Sequence, residues 1–234
     1  MNRQEFFAGM KAGLPVCIGY LSVSFGFGAM AVAQGLSIFQ SVLISVLNLT
    51  SAGQFAGLTV LAAGGAVLEL ILTQLVINSR YALMSMALTQ RLGPETTGLK
   101  RMVAAFFNTD EVFALGMTRV GKLTVSFFTG VGTIAAIGWV GGTALGAVAG
   151  SILPESVRMT LSTMLYGMFV AIVIPQIREE KPMAVCMVLA LVLSCLFMWL
   201  PLLNTVSAGL AIVICTVAAA AFCAAAFPIE EETQ

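Results

Sequence analysis

Asp110 is the only aspartate in the chain, and it stands beside Glu111 in the middle of an otherwise apolar run, Met102–Thr118. Ionisable side chains inside such runs are costly and mark proton, ion or substrate paths. The sequence has no histidine, so a proton relay near neutral pH must use carboxylates. Asp110, Glu111 and Glu69 are therefore the candidate proton-coupling residues. On a helix, Asp110 and Glu111 point about 100° apart, so they cannot share one site as a catalytic dyad. One can face a cavity while the other pairs with Arg119 or another loop cation. Arg80, in the run Ala66–Leu88, is permanently charged and can offer a bidentate fork to a substrate carboxylate or to Asp110. The structural alternatives are a snorkelling Arg80 and a plain Arg80–Asp110 ion pair.

A second polar centre interrupts the run Ile38–Ala63, at Asn48-Leu49-Thr50-Ser51-Ala52-Gly53-Gln54. Backbone that leaves the helix at bilayer depth is tolerated only where protein or a water-filled cavity surrounds it. Groups freed there can bind an ammonium or a carboxylate. Thr50, Ser51, Gly53 and Gln54, with Asn78 and Arg80 from the next run, are the candidate substrate-binding residues. A kink satisfied by neighbouring helices is the structural alternative. A continuous helix over Ala66–Leu88 would set Glu69, Thr73 and Arg80 near one face, with Asn78 roughly opposite Glu69. Residues 50–56 can be laid on 108–114, with the Phe-Ala pair in common.

Other chemistries lack their residues. There is no G-x-x-x-x-G-K-[ST] loop, no G-x-S-x-G and no histidine for a triad. An intramembrane aspartyl protease needs two aspartates, and Glu69 or Glu111 would have to stand in for the second. A non-transporting scaffold would not need Gln54, Arg80 and Asp110 buried together. The five cysteines, Cys17, Cys186, Cys195, Cys215 and Cys223, lie in apolar runs without a C-x-x-C pair. They read as small hydrophobes, so no metal or other cofactor is expected. No basic block suggests a nucleic acid.

The elements that must carry these residues follow from composition. The chain has 234 residues, of which 59 % are hydrophobic and 9 % charged, and its net charge is +0. Mean hydropathy is +1.00. Soluble domains are about 25 % charged, so this chain cannot cover itself with solvated groups. The apolar residues form long runs rather than the alternation of barrel strands. An all-α, polytopic membrane protein is predicted, a single transmembrane domain over residues 1–234. Ala12–Ala33, Ala66–Leu88, Leu123–Gly150, Val157–Ile177, Met183–Leu200 and Thr205–Phe227 read as about six full spans. Ile38–Ala63 and Met102–Thr118 read as two broken or re-entrant segments. Ala12–Ala33 is longer than the apolar core of a signal peptide, despite the small residues Ala31-Val32-Ala33 at its end.

Charge supports that count. If the two polar segments return to their starting side, Arg3, Lys11, Arg91, Lys100, Arg101, Arg119, Lys122, Arg178 and Lys181 all lie inside and only Arg158 lies outside. Both termini are then cytoplasmic. Gly138, Gly142, Gly146 and Gly150 recur every fourth residue and leave a flat helix face for close packing, within the chain or against a partner subunit.

Three motifs in order carry a family resemblance. Ala52-Gly53-Gln54, then Asn78-Ser79-Arg80 with Leu83-Met84-Ser85, then Thr109-Asp110-Glu111 with Phe113-Ala114 resemble the AzlC family. So do Gly13-x-Pro15, Gly19-Tyr20, Phe25-Gly26 and Gly35. The resemblance covers the N-terminus to about Lys122. It implies the large subunit of a two-component exporter of branched-chain amino acids (leucine, isoleucine and valine, extending to methionine) in a bacterial cytoplasmic membrane. The implied partner is a small AzlD-like membrane subunit. Family members often carry a histidine after the Asn-x-Arg motif; this chain has Tyr81, so a proton role is not expected at that position.

Overall fold

The structure is a computed structural model that describes residues 2–93, 96–152, 181–201 and 203–227. Among these residues every regular element is helical. The helices are α1 (Arg3–Ala12), α2 (Leu14–Ala33), α3 (Ile38–Leu47), α4 (Ser51–Ala62), α5 (Val67–Asn78), α6 (Arg80–Leu92), α7 (Gly98–Phe106), α8 (Asp110–Met117), α9 (Val125–Ile152), α10 (Lys181–Trp199) and α11 (Ala208–Ala226). Four of them, α2, α9, α10 and α11, are long and apolar enough to cross a membrane. The expected span Val157–Ile177 lies outside the described residues.

The chain divides into two compact units, Met1–Gln54 with Asn78–Leu165, and Phe55–Ile77 with Tyr166–Gln234. The first is built on α9. Helices α1 and α2 run parallel to it along a seam of small residues. A Cβ at Gly138, Gly142, Gly146 or Gly150 would strike the backbone of Cys17, Leu21, Phe25 or Ala29 respectively. Each pair is offset by the same interval, so one four-residue row lies against another. Gly9 and Gly28 make equally close approaches from the other side, to Phe127 and Thr143. The glycine row is therefore filled by α2 within the chain. It is not a face left for a partner subunit.

Around this seam packs a core of Tyr20, Leu88, Leu92, Ala104, Val112, Leu123, Phe128, Val131 and Trp139. The start of α1 is fastened to the start of α9. Asn2 caps α1 through its side chain, and its N–H donates to Ser126 Oγ at 2.8 Å. Arg119 pairs with Glu5 at 2.7 Å, and Thr124 donates to the same carboxylate oxygen at 3.0 Å. These two donors hold the Glu5 carboxyl below its ordinary range. Arg119 is thus engaged by Glu5, and the pairing of Asp110 or Glu111 with it does not occur.

Both expected breaks are present. Between α3 and α4 the chain leaves the helix at Asn48, which is extended (φ −142°, ψ 113°). Asn48 Oδ1 then accepts the N–H of Thr50 at 3.3 Å, a local turn that competes with continued helix. The first break is shorter than expected, because Ser51–Gln54 are already helical. Between α7 and α8 the chain turns through Phe107, Asn108 and Thr109, with a tight bond from Thr109 N–H to the Phe107 carbonyl.

A third break was not expected. The run Ala66–Leu88 divides at Ser79. Asn78 ends α5, and its Oδ1 accepts from Thr50 Oγ1 at 2.8 Å, while Arg80 opens α6.

In the second unit, α10 packs on α11. Glu69 and Thr73, one turn apart on α5, are both buried. Glu69 Oε1 accepts the N–H of Gly209 and Thr73 Oγ1 reaches the Gly209 carbonyl at 3.4 Å. A carboxylate at that place stabilises the unpaired N–H groups and positive end of α11. Glu69 thus has a structural task as a helix cap.

Candidate functional site

The two breaks that flank α4 and α8 open onto one cavity of about 180 Å³, all of it within the first unit. Leu47, Asn48, Leu49 and Thr50 line it from the first break, and Ala105, Phe106, Asn108 and Thr109 from the second. Tyr81 of α6 completes the wall. Four helix termini meet here, and their unpaired backbone groups need polar surroundings.

Arg80 and Asp110, the sequence neighbours of the lining residues Tyr81 and Thr109, form an ion pair. Nη1 of Arg80 lies 2.8 Å from Oδ2 of Asp110, and both side chains keep just under half of their surface open (45 % and 44 %). The guanidinium also lies over the Tyr81 ring, 5.2 Å from its centre. Glu111 turns away from this pair, as the 100° step predicts. Its carboxylate accepts from the Tyr20 hydroxyl, which is also 2.7 Å from Thr109 Oγ1.

Gln54 is engaged elsewhere. Its Oε1 accepts from the Trp139 indole N–H at 2.7 Å, and its Nε2 donates to Ser45 Oγ at 3.0 Å. Ser45 Oγ is in turn 2.7 Å from Thr143 Oγ1. The residue is 3 % exposed. Gln54 therefore ties α4 to α3 and α9 and does not line the cavity. Ser51 and Gly53 occupy the first turn of α4, also outside the lining. Thr50 lines the cavity, with Asn78 bonded behind it. Of the nine candidates, the structure gathers Thr50, Asn78, Arg80, Asp110 and Glu111 around one region of the first unit. It places Glu69 in the second unit.

Sequence reasoning passed over Tyr20, Tyr81, Asn108 and Trp139. Two of them carried a signal. Trp139 is an indole in the middle of an apolar run, and its N–H must find an acceptor. Asn108 is an amide at the same depth as Asp110.

The chain is similar to inner membrane protein YgaZ of Escherichia coli (strain K12), with 30 % identity over 194 residues, 80 % of this chain and 78 % of that protein. It is also similar to an uncharacterized membrane protein of Archaeoglobus fulgidus, with 30 % identity over 175 residues, 74 % of this chain and 76 % of the relative. An uncharacterized membrane protein of Helicobacter pylori (strain 26695) shares 26 % over 154 residues, 63 % of this chain and 67 % of the relative. No solved structure matches. The family described as AzlC protein matches residues 15–153, which include the seam, both breaks and the ion pair. The chain belongs to the AzlC family of membrane proteins.

Proposed function

We propose that this protein is a secondary transporter that exports branched-chain amino acids, coupled to the proton-motive force. The observation that carries the reading is one cavity shared by two helix breaks, with an ion pair, Arg80–Asp110, formed by the sequence neighbours of two of its lining residues. Interrupted helices meeting at one site are the usual construction of secondary transporters. An incoming carboxylate competes with Asp110 for the Arg80 guanidinium. Export driven by an inward proton gradient requires substrate and proton to take turns: the substrate loads while Asp110 is ionised, a proton from the outer side neutralises Asp110 as the substrate leaves, and that proton is released inside before the next substrate binds. Leu47, Leu49, Ala105 and Phe106 offer an apolar wall for an aliphatic side chain. In keeping with the family resemblance, the working unit includes a small AzlD-like membrane subunit, in a cytoplasmic membrane with both termini inside.

The test is flux of leucine and valine in vesicles with an imposed pH gradient, with and without the small subunit. Asp110→Asn is expected to abolish gradient-driven flux and to leave equilibrium binding partly intact. Arg80→Gln is expected to weaken binding itself. Normal gradient-driven flux in Asp110→Asn would remove Asp110 from the coupling step and direct attention to Glu111.

A further inference from the structure

The first turn of α8 carries Asp110 without the tie that a helix start usually has. Thr109 is its N-cap, and a threonine there ordinarily accepts the N–H of the second or third helical residue. Here the Thr109 side chain makes no such bond. Its hydroxyl lies instead 2.7 Å from the hydroxyl of Tyr20 on α2. The same phenol donates to the carboxylate of Glu111. One side chain therefore holds the residues on both sides of Asp110, whose Oδ2 is 2.8 Å from Arg80. The holder is itself fixed. Tyr20 is buried, and its ring meets that of Trp139 edge-on, with centroids 5.3 Å apart. Trp139 belongs to α9, so the α2–α9 seam braces the start of α8. Counting hydrogens adds a second property. The phenol has one hydrogen and two neighbours. An ionised carboxylate only accepts, whereas a protonated carboxyl also donates. With Glu111 ionised, Thr109 donates to Tyr20 and Tyr20 donates to Glu111. With Glu111 protonated, Glu111 donates to Tyr20 and Tyr20 donates to Thr109. Both bonds persist in both states, and only their direction changes. A lysine in place of Tyr20 has no acceptor and could not do this. The charged or titratable groups beside this chain of bonds are Asp110 on α8 and Arg80 and Tyr81 on α6; α9 has none.

We propose that Tyr20 is a positioning residue of the coupling step: through Thr109 and Glu111 it keeps Asp110 opposite Arg80, and its reversible bonds keep that hold when protons enter the site. The proposal rests on the transport reading above and extends it. Asp110 must meet Arg80 in one part of the cycle and a proton in another, so the turn that carries it has to stay in place through both. On this assignment Glu111 serves by its hydrogen bond rather than by its charge. A glutamine, which offers a donor and an acceptor, is then a better substitute for it than an apolar side chain of similar size.

The experiment uses the full-length chain in vesicles and reads three quantities: leucine flux under an imposed pH gradient, equilibrium binding of leucine, and amide hydrogen exchange. Tyr20→Phe removes the hydroxyl and keeps the ring against Trp139. It is expected to lower gradient-driven flux by about tenfold or more, the loss of one hydrogen bond to a charged group. Leucine binding is expected to hold or tighten, since a loosened Asp110 competes less for Arg80. Exchange is expected to quicken at residues 110–113 and to stay as it was along α9. Glu111→Gln is expected to retain several-fold more flux than Glu111→Leu, and this pair carries the test if Tyr20→Phe does not fold. Normal flux in Tyr20→Phe would overturn the proposal. So would binding and flux that fall in step, because Tyr20 would then support the fold alone. Equal losses in Glu111→Gln and Glu111→Leu would overturn it too, since Glu111 would then act by its charge. Each of these results leaves the transport reading in place. Wild type without gradient-driven flux would sink that reading, whereas unchanged exchange at the start of α8 in Tyr20→Phe would sink the hold of Tyr20 on α8 whichever way flux falls.

Discussion

The amide of Gln54 has two hydrogen-bonding positions taken inside the protein, by the indole of Trp139 and the hydroxyl of Ser45. A substrate reaching for the same amide would have to strand a desolvated indole N–H in a core where Trp139 is 1 % exposed. That cost favours Gln54 as a packing tie between α4, α3 and α9, and it can be measured. Trp139→Phe and Gln54→Leu each leave one partner buried and unsatisfied, which costs about 1–3 kcal/mol before any cavity term. The double variant removes both halves of the bond. Its destabilisation in denaturant unfolding should therefore fall short of the sum of the singles by about 1 kcal/mol. Strict additivity would show that the bond does not contribute. A Gln54→Leu protein of wild-type stability that no longer binds leucine would return Gln54 to the substrate site.

At the scale of the element, the α2–α9 seam depends on four positions having no side chain. A Cβ at Gly142 would meet the Leu21 carbonyl and Ser24 Oγ, whereas one at Gly141 meets nothing within 4 Å. Alanine is the better helix former by about 0.5–1 kcal/mol. Gly141→Ala should thus be neutral or stabilising, and Gly142→Ala should lower the melting temperature, since α2 must be pushed off α9. Equal melting temperatures for the two variants would contradict the seam. The seam itself was legible as a four-residue repeat, but its partner was not, because nothing in the spacing says which helix lies opposite. The same limit applies to the breaks. Those at Asn48–Thr50 and Phe107–Thr109 were readable as polar residues in the middle of apolar runs. The break at Ser79 was not, because Asn78-Ser79-Arg80 lies near the end of a run that still scans as helical. The side chain of Asn78 at this break is bonded by Thr50, 28 residues earlier, and no local pattern records that contact. Glu69 shows the same limit. A carboxylate in an apolar run suggests a proton site, and its bond to the start of α11 appears only once Gly209, 140 residues away, is beside it.

At the scale of the whole molecule, chain order and packing diverge. The segment Phe55–Ile77 leaves the first unit and belongs with the C-terminal helices, and the chain rejoins the first unit at Asn78. The boundaries at Gln54 and Asn78 fall at polar residues in apolar runs, so hydropathy marks where the chain changes units without showing that it does. Orientation in the bilayer is a separate matter, carried by charge. If every apolar run crossed once, the loop holding Arg91, Lys100 and Arg101 would face outward, against the positive-inside rule. If Ile38–Ala63 returns to the side from which it started, the same loop faces the cytoplasm. The helix break at Asn48–Thr50 supplies the turn such a return needs, since the backbone there is non-helical. The two arrangements differ at a pair of exposed positions in the first unit. Gln34 follows α2, and Lys100 lies in α7. Single crossings put them on the same side of the membrane; a returning segment puts them on opposite sides. In a variant without the five native cysteines, Gln34→Cys should react with an impermeant thiol reagent from outside intact cells. Lys100→Cys should react only after the membrane is opened. Labelling of both from outside would establish that Ile38–Ala63 crosses the membrane, and the cytoplasmic placement of the basic loop would fall with it.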